Sequence, residues 1–160
     1  FGVECQRLLR LEKGHIIVSQ DTDGLTNPLE ADMEWALAKK RPFFIGKRSI
    51  EIQRDHLHRK LVGFEIAGEN PAMPKECHLV IRDGEIVGRV TSCSYSPTLK
   101  KAIGLAYVAP DQAEPGSSFE VRVDSGTMAG KRVKIDTSKT VTCKVVKLPF
   151  YDPEGARQEL

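Results

Sequence analysis

A tryptophan and a cluster of cations lie close together in the first third of the chain. Trp35, the only tryptophan, is followed by three cations at 39–41. The larger apolar side chains occupy every second position of 33–38, which predicts a strand. Pro42 ends it because proline has no backbone N–H to donate. A strand that carries an indole beside three cations suits a planar anionic ligand, and the guanidinium of Arg41 suits a carboxylate or ring carbonyl. A solvated charged surface is the open alternative.

Three further groups of residues could form a calcium loop, a nucleophile and a zinc site, but the spacing of the residues argues against each of these sites. The turn at 21–24 has acids like those of a calcium loop, but Leu25 and Asp32 stand where an EF-hand needs a further acid and a glutamate. The run Ser-Tyr-Ser-Pro-Thr at 94–98 has no histidine with an acid partner placed to activate a hydroxyl, so a polar turn is predicted. The possible zinc ligands follow no standard spacing: His56, His58, Cys77 and His78.

The elements that carry these residues begin with a short helix. Residues 3–11 are predicted to form a helix that Gly14 ends. Glu12 then falls in the last turn, where the helix dipole disfavours an acid, so its position alone indicates a solvated surface carboxylate. A short β-rich run is predicted over 15–19, and a second helix from 46 to 56.

From residue 60 onward the pattern changes to short strands. Asp83-Gly84 between two apolar runs is a strong signal for a type I′ hairpin. Seven short strands separated by glycine- and proline-containing turns predict a small antiparallel β-barrel. The predicted strands are 61–66, 78–82, 85–90, 103–108, 119–123, 133–135 and 141–145.

Three blocks of residues then point to a family. They are Leu9-Arg10-Leu11-Glu12, the segment from Thr26 to Lys47 with its Pro28-Leu29-Glu30-Ala31 and Phe44-Ile45-Gly46 strings, and Thr91 to Leu99. In order and spacing they resemble the aminomethyltransferase (glycine-cleavage T-protein) family of folate-binding proteins. Within the family, 21–24 and 149–155 most resemble the C-terminal part of the α subunit of heterotetrameric sarcosine oxidase.

This resemblance implies an α+β fold with three parts. Residues 1–58 would be the C-terminal part, a remnant, of an α/β folate-binding domain. Residues 59–148 would form the antiparallel β-barrel, and residues 149–160 a C-terminal tail. Because the chain begins at Phe1 without a methionine, we expect it to be a fragment of a longer protein.

The resemblance also implies four residues that bind tetrahydrofolate: Glu12, Trp35, Arg41 and Tyr151. The family's glutamate at the position of Glu12 holds the aminopyrimidinone edge of the pterin, where one carboxylate can accept two parallel N–H bonds. Arg41 follows Trp35 by six residues, as an arginine at the family's folate site does. Tyr151 belongs to a tail that returns to the folate region in the family. No catalytic residue and no metal ligand is predicted.

The function implied is that of the folate-binding portion of a sarcosine oxidase α subunit-like enzyme. In such enzymes a flavin elsewhere oxidises an N-methyl amine, and tetrahydrofolate captures the one-carbon unit as 5,10-methylenetetrahydrofolate. FAD, FMN and NAD are expected in the parent enzyme but not on this chain, which has no G-x-G-x-x-G fingerprint. The expected partners are the rest of the α subunit and the other oxidase subunits. The chain alone is expected to be inactive, because a preceding domain supplies the family's acid beside the reacting folate nitrogen.

Other classes of function remain open. One is an aminomethyltransferase of the glycine cleavage system, and another is a non-catalytic folate-binding or interaction module. A net charge of +2 and 6% aromatic residues argue against a nucleic-acid-binding barrel. No apolar run reaches membrane-spanning length. Four cysteines without a C-x-x-C pair predict reduced thiols and a cytoplasmic protein.

Overall fold

The computed structural model describes residues 2–38, 40–68, 71–123 and 139–158, and the backbone of two short strands between 123 and 139. In this part of the chain two helices, α1 (Val3–Glu12) and α2 (Lys47–Arg54), precede the strands. The strands are β1 (Lys60–Ile66), β2 (Leu79–Arg82), β3 (Glu85–Ser96), β4 (Lys101–Val108), β5 (Ser118–Arg122), β6 (Thr127–Ala129), β7 (Arg132–Lys134) and β8 (Thr140–Val146).

Six of these strands form a closed antiparallel barrel in the order β1-β4-β3-β2-β5-β8, and β8 pairs with β1 to close it. The remaining two, β6 and β7, form a separate hairpin. The α+β fold with a small antiparallel barrel is therefore confirmed. Asp83 and Gly84 both have positive φ angles, of 53° and 83°, as a type I′ turn requires. The predicted strand at 133–135 is matched by β7 as far as Lys134, and Ile135 lies outside the described residues.

The barrel interior is filled by the inward-facing residues of its strands. Phe64 and Phe119 meet there edge to face, with ring centroids 5.6 Å apart. A Cβ on Gly104 would lie 2.4 Å from the Phe64 ring and 2.5 Å from the carbonyl oxygen of Ser92, so only glycine fits at that point of β4. These contacts form the main core of the described residues.

A second apolar cluster lies on the outside of β1 and β4. Leu11 of α1, Leu148 just before the tail and Phe150 of the tail pack there against outward side chains of the two strands, which are Leu61, Ile103, Leu105 and Tyr107. Nearly every residue of β4 is buried because both of its faces are covered. This cluster attaches α1 and the tail to the barrel.

The end of α1 is held by backbone hydrogen bonds. Gly14 has a φ of +73°, its N–H donates to the carbonyl of Leu11, and the N–H of His15 donates to that of Arg10. This is the Schellman arrangement, for which glycine is favoured because it adopts the left-handed conformation without strain. Glu12 is therefore the last residue of the helix, as bounded in the structure.

Several local predictions are wrong. The segment predicted as a strand over 33–38 contains a 3₁₀-helix, Glu34–Ala36, because its N–H groups bond locally to carbonyls three residues back instead of to a neighbouring strand. The run 15–19 is a loop and turn, since the N–H of Asp21 donates to Ile17. Residues 94–96 belong to β3, and the turn occupies 97–100. The predicted domain boundaries at 58/59 and 148/149 stay predictions.

Neither described helix has the length and hydropathy needed to cross a membrane.

Candidate functional site

A cleft of about 700 Å³ opens where the end of α1, the segment around Trp35 and the tail meet. The indole of Trp35 is 77% exposed and lies on this cleft. The other lining residues come from three stretches and β1: Lys13 to Ile16, Ala31 to Met33, Leu148, Pro149 and Pro153 to Gly155, and Leu61. The exposed aromatic surface suits a flat ligand, and the lining contains both a cation, Lys13, and two acids, Asp32 and Glu154.

Glu12 ends α1 directly before this cleft but does not line it. Only 4% of Glu12 is exposed, and Ser96 Oγ donates a hydrogen bond to its Oε1 over 2.6 Å. Its backbone carbonyl accepts the N–H of Tyr151 over 3.0 Å. The surface position that the helix pattern indicated is therefore wrong, because the barrel and the tail both cover this residue. A buried carboxylate is costly without hydrogen bonds, and Ser96 supplies one.

A buried polar network fixes α1 to β3. Asp21 is 0% exposed, and its Oδ1 accepts the hydroxyls of Thr91 over 2.7 Å and Ser92 over 2.6 Å. Its Oδ2 accepts the N–H of Ile17 over 2.8 Å and forms an ion pair with Arg10. Arg10 also donates to the Ser92 hydroxyl over 2.7 Å. The acid that the sequence placed in a calcium-like turn is thus an internal anchor for the last turn of the helix.

A second ion pair holds the loop that leads to Trp35. The guanidinium of Arg59 donates to both carboxylate oxygens of Asp23 over 3.2 and 3.3 Å, and it lies 4.7 Å from the centroid of the Tyr107 ring. The hydrogen bonds from Arg59 and then from Thr26 hold the pKa of Asp23 well below its usual value. Glu30 pairs with the same guanidinium at 3.4 Å. The loop is therefore attached to the barrel by ion pairs between residues about thirty positions apart in the chain. A local sequence pattern does not predict such pairs.

The predicted ligands are only partly brought together. Trp35 lies on the cleft, and so does Lys13, which directly follows Glu12. Neither Tyr151 nor its two neighbours in the chain line it, although Pro149 and Pro153, two positions away on either side, do. The side chain of Tyr151 is half-buried beside Arg157, whose guanidinium lies 5.6 Å from the ring centroid. Arg41 is exposed and is not among the residues of the cleft. The folate-binding roles of all four residues stay predictions.

Burial disfavours the nucleophilic thiolate form of two barrel cysteines. Burial raises the pKa of Cys93 to about 12, and burial followed by the proximity of Cys93 raises that of Cys143 to about 12. Both are therefore protonated at neutral pH. Within the described ranges, no three His, Cys, Asp or Glu side chains come together as a set of metal ligands.

Comparisons with known proteins agree with this architecture. The family model described as the glycine cleavage T-protein C-terminal barrel domain matches residues 59–152. The aminomethyltransferase of Halothermothrix orenii is 37% identical over 150 residues, which are 93% of this chain and 38% of that protein. The aminomethyltransferase of Rubrobacter xylanophilus is 38% identical over 96% of this chain, again 38% of its own length.

A solved structure extends the likeness to the fold. The crystal structure of glycine cleavage system aminomethyltransferase T from Bartonella henselae matches 95% of this chain with a TM-score of 0.77 and 21% sequence identity. The match covers 39% of that chain. This chain thus spans less than two fifths of the proteins that it resembles, and at this identity the structural likeness concerns the fold alone.

Proposed function

The chain belongs to the glycine cleavage T-protein C-terminal barrel family, and we propose that it is the folate-binding C-terminal part of an aminomethyltransferase. In this role it binds tetrahydrofolate, which receives the one-carbon unit as 5,10-methylenetetrahydrofolate. Two relatives that are similar along more than nine tenths of the chain are aminomethyltransferases, which supports this function over the others.

The observation that carries the proposal is a buried carboxylate beside an aromatic cleft. Glu12 is held by Ser96, and the residues that follow it line the cleft together with Trp35. The carboxylate of Glu12 accepts N–H groups from the aminopyrimidinone edge of the pterin. The exposed indole of Trp35 offers an apolar face for stacking against a flat ring. Lys13 and His15 line the same opening together with Asp32 and Glu154, so it offers polar groups of both charge types for the rest of the ligand.

This chain binds and orients the folate rather than reacting with the one-carbon unit. Its buried thiols are protonated, as their raised pKa values require. The family resemblance implies that the acid beside the reacting folate nitrogen belongs to a preceding domain. The activity is accordingly a property of the full-length protein, to which these residues contribute one wall of the pocket.

The proposal is tested by substituting Glu12 in the full-length protein. Glu12→Gln keeps an oxygen that accepts the Ser96 hydroxyl, so the fold is expected to survive. It replaces the other acceptor by a donor that faces the donors of the pterin. We expect a loss of about 2–4 kcal/mol, or about 30- to 1000-fold in tetrahydrofolate affinity, measured by calorimetric titration.

Glu4→Gln is the matched control, since Glu4 is an exposed acid of the same helix whose contact is a surface pair with Arg7. Its affinity for tetrahydrofolate should equal that of the parent protein. Equal affinity of the Glu12→Gln variant and the parent would contradict the proposed role of Glu12. A full-length protein that binds no tetrahydrofolate at all would reject the function as a whole.

A second candidate is the sarcosine oxidase α subunit-like enzyme. It is favoured by the resemblance of 21–24 and 149–155 to that subunit, and residues of the second segment line the cleft. This candidate predicts that the full-length protein, with its partner subunits, contains FAD, FMN and NAD and reduces its flavin when sarcosine is added. The 160 residues alone should oxidise no amine under either candidate. Flavin-free protein that is active in glycine cleavage would reject the oxidase.

A further inference from the structure

We propose that Ser96 is a positioning residue for folate binding: its hydroxyl sets the direction in which the Glu12 carboxylate meets the pterin. This inference rests on the proposed function, and it assigns the barrel a part in ligand recognition. Ser96 is the last residue of β3, whereas Glu12 is the last residue of α1, 84 positions earlier.

The direction of the hydrogen bond is determined by a third group. The backbone N–H of Leu99 donates to Ser96 Oγ over 3.0 Å, and Ser96 Oγ lies 2.6 Å from Glu12 Oε1. A serine hydroxyl has one proton and two acceptor positions. Because Leu99 occupies an acceptor position and the carboxylate has no proton to donate when ionised, the proton of Ser96 points to Glu12.

The backbone of Ser96 is also fixed in position, by strand pairing and by the turn that follows. Ser96 pairs with Lys101 of β4, and the turn 97–100 that joins them places Leu99 beside the hydroxyl. Its exposure is 0%. Ser92, four residues earlier on the same strand, also directs its hydroxyl to the side of α1, where it bonds to Asp21. The period of two along a strand places both serines on one face.

The hydrogen bond from Ser96 orients the Glu12 carboxylate and leaves most of its acceptor positions free for a ligand. An ionised carboxylate has about four acceptor positions, and the single proton of Ser96 occupies one of them. A glutamate side chain otherwise loses rotational freedom when a ligand binds, which weakens binding. Since Ser96 has already restricted Glu12, less freedom remains to be lost. A correctly oriented carboxylate therefore meets the two donors of the pterin edge.

The test is a double-mutant cycle on tetrahydrofolate affinity in the full-length protein. The four proteins are the parent, Ser96→Ala, Glu12→Gln and the double variant. We expect Ser96→Ala to weaken binding about tenfold, the upper end of the cost of immobilising one long side chain on binding. If Ser96 acts through Glu12, the double variant should bind no more than about twofold more weakly than Glu12→Gln alone.

Thr91→Val is the matched control for loosening of the helix. It removes a buried hydroxyl-to-carboxylate bond from the same strand, but the acid concerned is Asp21, which keeps its bonds to Ser92, Ile17 and Arg10. Its folate affinity should stay within about twofold of the parent. Thermal unfolding of every variant shows whether Ser96→Ala and Thr91→Val lose similar stability.

Each outcome decides the question. Parent-like affinity of Ser96→Ala, independent effects of Ser96 and Glu12 in the cycle, or an equal loss in Thr91→Val would each overturn the positioning role. If Glu12→Gln itself binds like the parent, or the parent does not bind tetrahydrofolate, the proposed function fails and the positioning role fails with it. An intact effect of Glu12→Gln with a parent-like Ser96→Ala rejects the positioning role alone.

Discussion

Replacing Asp21 by asparagine should loosen the N-terminal helix from the barrel. Asp21 is fully buried and uses both oxygens as acceptors, two hydroxyls on Oδ1 and the Ile17 N–H and Arg10 on Oδ2. An asparagine keeps one acceptor oxygen but turns an N–H₂ group toward the other two donors. The side chain of Arg10, 12% exposed, then loses its counter-charge. Breaking one partner of such a buried pair costs about 3–5 kcal/mol.

Hydrogen–deuterium exchange of the full-length protein measures the loss of local stability in α1 and the loop that follows it. Amide protection in α1 and in the loop up to Asp21 should fall more than about a hundredfold, as a loss of this size requires. Asp23→Asn is the matched control, because Asp23 is 39% exposed and its ion pairs should contribute less than about 1 kcal/mol. Adding Arg10→Met to Asp21→Asn removes the stranded charge and should restore part of the protection. The reasoning is refuted if Asp21→Asn has no larger effect than Asp23→Asn.

Two further predictions concern the tail and the response to acid. A Cβ on Gly63 would lie 2.6 Å from a methyl group of Leu148, so Gly63→Ala should displace Leu148 and the tail that follows it and lower stability by about 1–3 kcal/mol in thermal unfolding. Gly24→Ala, which meets nothing within 4 Å, should be neutral, and equal midpoints of the two variants would contradict the packing. Because Arg59 lowers the pKa of Asp23 in the fold, this carboxylate stabilises the protein above its unfolded pKa near 3.8, and this contribution is lost as the pH falls toward the folded pKa. The difference in unfolding midpoint between the parent and Asp23→Asn should therefore be constant near neutrality and shrink below about pH 4. A difference as large at the lowest pH at which the protein is folded as at neutral pH would count against this explanation.

Elements whose formation depends on neighbours in the chain were predictable from the sequence. The barrel strands have an alternation of period two, and Asp83-Gly84 has the left-handed conformations that a tight hairpin needs. The first helix ends at Glu12 for the same kind of local reason, because Gly14 two residues later adopts the left-handed conformation of the cap. The family was also recognisable, because its motifs are short strings. Over 33–38, by contrast, the same alternation misled, since a strand needs a partner strand and this segment bonds to itself.

The burial and pairing of the site residues were decided only by the tertiary structure. Glu12 occupies a helix position that indicates solvent, yet Ser96 and the tail cover it. Asp21 lies in a turn that resembles a surface loop, yet its hydroxyl partners are 70 and 71 residues away. Arg41 and Trp35 are six residues apart, but only Trp35 reaches the cleft. A charged side chain is buried only where distant groups supply its hydrogen bonds, and which groups those are depends on how the closed barrel brings the ends of its strands to α1.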